Sequence, residues 1–340
     1  MAWNKYWMVA GAAAAVLATG GLATARQERE TPGVSLAQDV VAAASAFETY
    51  TRGAGAITPA AFSDGEGVAK ALVAGAAYKA EQLEAGMIAY GAIAALQEPA
   101  FIEGVRRAAR ETSREALVER LLTSPESVIE IEGVGPAAAR AQAALQVRGA
   151  PLAVAGRAVK QSAYDIQHQA WSKGTVADNA GRLARVKLLS ATVFQPGQDD
   201  AGRLIQSATG AGGGFAEGGR AFTPVTVRST ALAALAVLDA AGDADVARLA
   251  PVLSEKKAGF CMKMAKLNLY QCLAVAGPHY EDVFCLGQHA MIDTAQCVGD
   301  AAGGSLSSPA VSSPAPPPRP MGFVIPVASV APTAIAQATR

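Results

Sequence analysis

The chain has 340 residues, and its 29 basic and 29 acidic side chains cancel to no formal net charge. That balance excludes a strong electrostatic pull toward nucleic acid or anionic membrane, and 51% apolar against 17% charged residues excludes wholesale disorder. Three histidines leave little material for a multi-histidine metal site, and with aromatics at 6% the core is expected to be built largely from Ala, Leu and Val.

Lys5 is the only charge in the first 25 residues. The run from Tyr6 to Leu22 is apolar or small throughout and closes on Ala23-Thr24-Ala25, a small-x-small cleavage pattern, after which charge begins at Arg26. Residues 1–25 are therefore expected to be a signal peptide of bacterial style, with an uncleaved anchor helix as the alternative. Beyond it, Val68 to Leu96 is the most apolar stretch, but Lys70, Lys79, Glu81 and Glu84 interrupt it. No integral membrane span is expected after cleavage, and the expected location is the periplasm or the outside of the cell.

Long Ala-rich stretches with charges every three to four residues predict an all-α protein, an irregular multi-helix bundle. Ser35 is placed to cap a helix through Val40, Val41 and Phe47 that stops at Gly53. Ser63 and Glu66 have capping-box spacing, and the helix they open is expected to run to about Gln97, with Leu72, Leu83, Met87, Ile88 and Ile93 in the core. Pro99 suits the first turn of the next helix, which carries Ile102, Val105, Ala109, Leu117, Leu121 and Leu122. Ser124-Pro125 and Thr223-Pro224 are further cap-plus-proline starts.

Residues 124–146 include Glu130-Ile131-Glu132-Gly133-Val134-Gly135-Pro136, followed by Ala137-Ala138-Ala139-Arg140. This resembles the helix-hairpin-helix element of DNA-binding proteins, whose Gly-x-Gly turn presents backbone N–H groups to a phosphate; the resemblance implies that Val134 to Ala137 would supply them. In that family basic residues flank the turn, whereas here Glu130 and Glu132 precede it and only Arg140 follows. Acidity opposes phosphate binding. The residues read as a tight helix–helix turn with Gly at 133 and 135 for its backbone angles, and no nucleic-acid partner is expected.

Three other patterns are weak. Asp165, His168 and Trp171 would share a helical face, where a carboxylate can orient an imidazole for general-base work, but a surface ion pair is the commoner use. The glycine-rich stretch Gly210 to Gly219 lacks the Lys-Ser/Thr ending of a phosphate loop and reads as a connector. Ser254 and Lys257 match the Ser-x-x-Lys of penicillin-recognising serine enzymes, yet the Ser-x-Asn and Lys-Thr-Gly elements that family needs are missing.

All four cysteines, Cys261, Cys272, Cys285 and Cys297, fall within 37 residues. An even count beside an export signal predicts disulfides. Residues 254–276 are expected to form one helix, with Phe260, Met264, Leu267, Leu273 and Val275 as its apolar positions, and Gly277-Pro278 to break it before a second. Cys261 and Cys272 on one helix lie about 16 Å apart, beyond the ~7 Å limit of a disulfide. Across an antiparallel hairpin, Cys272 and Cys285 sit six and seven residues from Pro278 and so meet at one height, with Cys261 and Cys297 further out. The pairing is therefore expected to be nested, Cys272–Cys285 inside Cys261–Cys297. The layout is similar to the twin Cys-x9-Cys helical hairpins in geometry, although the spacings here are ten and eleven residues. Cys297 lies twelve positions after Cys285, about 120° round an ideal helix, so the second helix is expected to end or bend first, at Gly287 or near Thr294. Cys285 and His289 at i, i+4 offer a metal alternative, which oxidised sulfurs disfavour.

The expected organisation is thus a signal peptide (1–25), a helical domain (26–209), a glycine-rich loop (210–222), a helical subdomain with the disulfide hairpin (223–302) and a disordered Ser/Pro/Ala-rich tail (303–340). Phe323-Val324-Ile325 is the one apolar triplet in that tail, suited to docking as a short strand. No catalytic, cofactor-binding or metal-binding residue is assigned. The expected function is a non-catalytic cell-envelope interaction or structural protein with an envelope protein partner. The alternative is a periplasmic cell-wall hydrolase working through paired carboxylates.

Overall fold

The computed structural model describes residues 34–210 and 222–304. The expected signal peptide, the glycine-rich stretch from 211 to 221 and the tail from 305 onward lie outside these residues. Helices α1 (Gln38–Gly55), α2 (Gly65–Ala76), α3 (Ala80–Ala95), α4 (Pro99–Thr112) and α5 (Arg114–Thr123) lead into the 33-residue α6 (Val134–Ile166). They are followed by α7 (Asn179–Ala191), α8 (Gln198–Thr209), α9 (Pro224–Val237), α10 (Val246–Leu249) and α11 (Lys256–Val275). Last come α12 (His279–Cys285), a π-helical segment (Leu286–Asp293) and α13 (Thr294–Ala301). The fold is all-α, and the described residues contain no β-strand.

α3 explains the arrangement. Its faces are apolar all round, with Leu83, Met87, Ile88, Ala89, Tyr90 and Ala92 all buried, and such a helix is stable only when other elements cover every side. α1, α6, α8, α9 and α11 do so. α9 is built the same way and lies against α3 and α6. Among the described residues, the helices before and after the 211–221 stretch share one hydrophobic core, with α9 packed on both α3 and α6, instead of making two subdomains. α6, about 50 Å long at helical rise, is the side wall against which α1, α12, the π-helical segment and α13 pack. Among the described residues no single helix is long and apolar enough to cross a membrane.

Several helix boundaries differ from the sequence reading, at Gln38 and Ala76 because a tertiary partner outcompetes local propensity and at Asp64 and Ser113 because a neighbouring side chain supplies the cap. The first helix starts at Gln38, where Asp243 Oδ1, not Ser35, receives the free Gln38 N–H at 2.7 Å. Asp64, not Ser63, caps α2 by accepting from Gly67 N at 2.9 Å, and Glu66 instead pairs with Lys70. The expected helix from 63 to 97 breaks after Ala76, whose carbonyl accepts from Lys266 Nζ at 2.6 Å in place of a helical N–H. The following Tyr78 turns inward, where its hydroxyl meets Thr294 Oγ1 at 2.9 Å. The helix opened by Pro99 breaks at Ser113, which has φ of 93° and caps α5 through Ala116 N. Thr223 caps α9 as expected, accepting from Thr226 N at 3.0 Å, whereas Ser124-Pro125 opens only a 3-10 turn, Pro125–Glu130.

Candidate functional site

The C-terminal hairpin carries both disulfides in the nested arrangement, Cys272–Cys285 and Cys261–Cys297, each with Cα atoms 5.7 Å apart. α12 ends at Cys285, beside the expected Gly287, and a π-helical segment follows that supplies rotation Cys297 requires. Its wider i to i+5 hydrogen-bonded ring turns less per residue than an α-helix. Across the segment's eight residues this smaller turn offsets the rotation an ideal α-helix would accumulate and brings Cys297 back toward Cys261. Side chains follow the same spacing. Asp293 accepts from His289 Nδ1 at i−4 and from Gln288 Nε2 at i−5, both at 2.8 Å. Burial acts to raise the Asp293 pKa, but these bonds and one from Asn268 outweigh it and hold the carboxyl below its ordinary value. The segment lies backbone to backbone on α6: a Cβ on Gly287 would stand 2.5 Å from Lys160 N.

The disulfides also fix the rotation of α11, and this overturns the expected core face. Phe260, Leu267 and Val275 are 67%, 43% and 85% exposed, Met264 is half-buried, and of the five expected positions only Leu273 is in the core. Met262, Ala265, Leu269 and Lys266 point inward instead. The Lys266 ammonium donates to Ala76 O and to Ser190 Oγ at 2.9 Å and lies 3.4 Å from the Tyr78 ring centroid. No carboxylate pairs with it among the described residues, and burial pulls its pKa well below the ordinary lysine value.

Exposed Phe260 and Leu267, with half-buried Met264 between them, lead to Val275 at the rim of a groove of about 350 Å³ between α6 and α12. Tyr164, Tyr280 and Phe284 wall the groove and the Cys272–Cys285 bridge lies along it. Tyr164 and Phe284 meet edge to face with centroids 6.1 Å apart, and Lys160 Nζ stands 5.3 Å over the Phe284 ring while bonded to Gln288. Glu281 marks the other rim, accepting from Gly277 N at 2.8 Å. An apolar, aromatic-walled groove with charged edges is suited to the apolar side chain of another polypeptide and places no nucleophile or acid–base pair at its floor. Sequence reasoning missed Tyr164, Tyr280 and Phe284; the i, i+4 spacing of Tyr280 and Phe284 was the available signal.

The other sequence candidates are placed differently. His168 lies beyond the end of α6 and is exposed, Asp165 bonds Gln161, and Trp171 Nε1 donates to Gln169, so the three do not form a shared face. Ser254 donates to Glu84 Oε1 at 3.1 Å and Lys257 is exposed. Gly133, at φ of +80°, is required by the turn before α6, where a Cβ would meet Phe101 N at 2.5 Å, whereas Gly135 has nothing within 4 Å and is not required. Around that turn Glu132 pairs with Arg107, Glu130 with Arg120 and Arg140 with Glu98. Cys285 is bonded to sulfur and His289 to Asp293, so the i, i+4 metal pair does not form, and no group of three potential ligands is positioned for a metal among the described residues. Glu84 and Glu255 are neighbouring buried carboxylates; desolvation raises the Glu84 pKa. Both are spent on the start of α11, with Glu84 accepting from Glu255 N at 2.6 Å and Glu255 from Ala258 N at 2.8 Å.

No family model, curated protein or solved structure matches the chain.

Proposed function

We propose that this is an exported, non-catalytic interaction protein of the cell envelope that docks a protein partner through the aromatic groove and apolar stripe of its disulfide-clamped hairpin. The observation that carries the reading is the exposure of Phe260, Leu267 and Val275 on an element held rigid by two covalent bridges. A rigid apolar surface loses little conformational entropy on binding, and aromatic residues at a groove are the usual anchors of protein interfaces. Export accounts for the oxidised sulfurs, because disulfides persist in oxidising compartments.

The test is capture of the tagged full-length protein from its own envelope, followed by mass spectrometry, beside a Val275→Glu variant. One protein should be enriched by the parent and at least tenfold less by the variant. Equal capture by both would overturn the groove as the docking surface. The alternative, a cell-wall hydrolase, draws on the neighbouring Glu84 and Glu255 and the raised Glu84 pKa. It requires hydrolysis of purified wall material that Glu84→Gln abolishes; their service as caps for α11 favours the interaction reading.

A further inference from the structure

On the opposite side of α12 from the groove lies a smaller cleft, about 100 Å³, between α2, α7 and α12. Its ionisable lining is Arg182, Arg185, His279 and Asp282, and its walls are aliphatic, with Leu72, Val186 and Leu189 facing in.

Arg182 is 5% exposed and its charge is answered by Asp282, to which its Nη1 donates; Nη2 serves the carbonyls of Leu273 and Ala276, the latter at 3.0 Å. Its Nε–H is buried without a hydrogen-bond partner, an N–H left over in an otherwise satisfied guanidinium. His279 is held in place. Its ring lies against Gly65, where a Cβ would come within 2.7 Å of Cε1, and the Trp171 ring centroid is 6.2 Å from its own. Arg185 is different. It is exposed at the mouth of the cleft and has no ion-pair partner among the described residues. With Arg182 and Asp282 cancelling, the cleft offers one uncompensated guanidinium above an apolar pocket.

We infer that this cleft binds a small organic monocarboxylate with a short apolar chain, the carboxylate held by Arg185 at the mouth and the chain lodged against Leu72, Val186 and Leu189. A guanidinium matches a carboxylate with two parallel N–H···O bonds. The one free guanidinium pairs with a carboxylate, and the aliphatic walls gain from a short chain that inorganic anions lack. The site is separate from the docking groove, and its existence does not depend on the partner.

The experiment is isothermal titration of the oxidised full-length protein with butyrate, its neutral isostere butyramide, acetate and inorganic phosphate. Butyrate should bind at least tenfold more tightly than butyramide and more tightly than acetate. Arg185→Gln, an exposed substitution checked for parental helicity by circular dichroism, should weaken butyrate at least tenfold, the loss expected for one charge-assisted pair. No heat with any probe, binding of phosphate in preference to butyrate, equal affinity for butyrate and butyramide, or undiminished butyrate binding by Arg185→Gln would each overturn the inference.

Discussion

Replacing Gly287 with Ala tests the packing that sets the hairpin. In an ordinary helix a Gly→Ala change stabilises by about 0.5–1 kcal/mol, because glycine loses more backbone freedom on folding. At Gly287 the new Cβ would stand 2.5 Å from Lys160 N, 2.9 Å from Lys160 Cα and 3.0 Å from Gly156 O. All three are backbone atoms of α6, so no side chain can swing aside, and α6 must retreat by about 1 Å to reach ordinary contact near 3.5–4.0 Å. Gly156 is itself pressed on Met291 and Ile292, which blocks relief along the same interface. Overpacking of this kind costs about 1–3 kcal/mol, and with no freedom to relax the upper end applies. After the helical gain is set against it, the net loss is about 2 kcal/mol, or roughly 4–8 °C in Tm for a unit of this size. The control is Gly202→Ala in α8, where nothing lies within 4 Å and the change should stabilise by up to about 1 kcal/mol. Urea unfolding of the oxidised proteins, with unchanged slopes, reads both. A Gly287→Ala protein as stable as its parent would refute the close approach of the π-helical segment to α6.

Further outcomes follow from the bridges and from two ionisable groups. Removing the inner bridge with Cys272→Ala/Cys285→Ala, which opens a loop of sequence separation 13, should cost about 3 kcal/mol, and non-reducing digestion of the parent should yield linked 261–297 and 272–285 peptides. Removing the outer one with Cys261→Ala/Cys297→Ala opens a closed path of about 25 residues through the inner bridge and should cost about 3.5 kcal/mol. Because Lys266 is held neutral more readily in the folded chain than in the unfolded one, the unfolded state binds the extra proton, and stability should rise with pH from the folded pKa of Lys266 up to about 10.4. The difference in unfolding free energy between parent and Lys266→Met, followed from about pH 7 to about pH 10, should grow in the parent's favour; a constant difference would contradict the desolvated lysine. Asp293 has the opposite signature: its folded pKa is lowered, so its contribution is complete above about pH 4 and is lost as pH falls through the folded value. The stability gap between parent and Asp293→Asn should therefore close on acidification, and a gap that persists at low pH would sink the assignment.

Local chemistry in the sequence was enough for the fold class, the Thr223-Pro224 start, the core residues Leu72, Leu83, Met87 and Ile88, and the nested disulfides. Each of these rests on a distance along the chain: helical period, a cap three residues from its partner, or the heights of two cysteines from one turn. Which side of α11 faces inward was not legible, because apolar residues occupy both sides and the period alone cannot choose between them; the bridges to Cys285 and Cys297 choose. The break after Ala76 was hidden for the same reason, since the lysine that replaces the helical N–H lies 190 residues away. The groove, the basic cleft and the π-helical segment likewise exist only where α12 and the segment after it pack against α6 and α2, contacts between distant elements that no spacing along one element encodes.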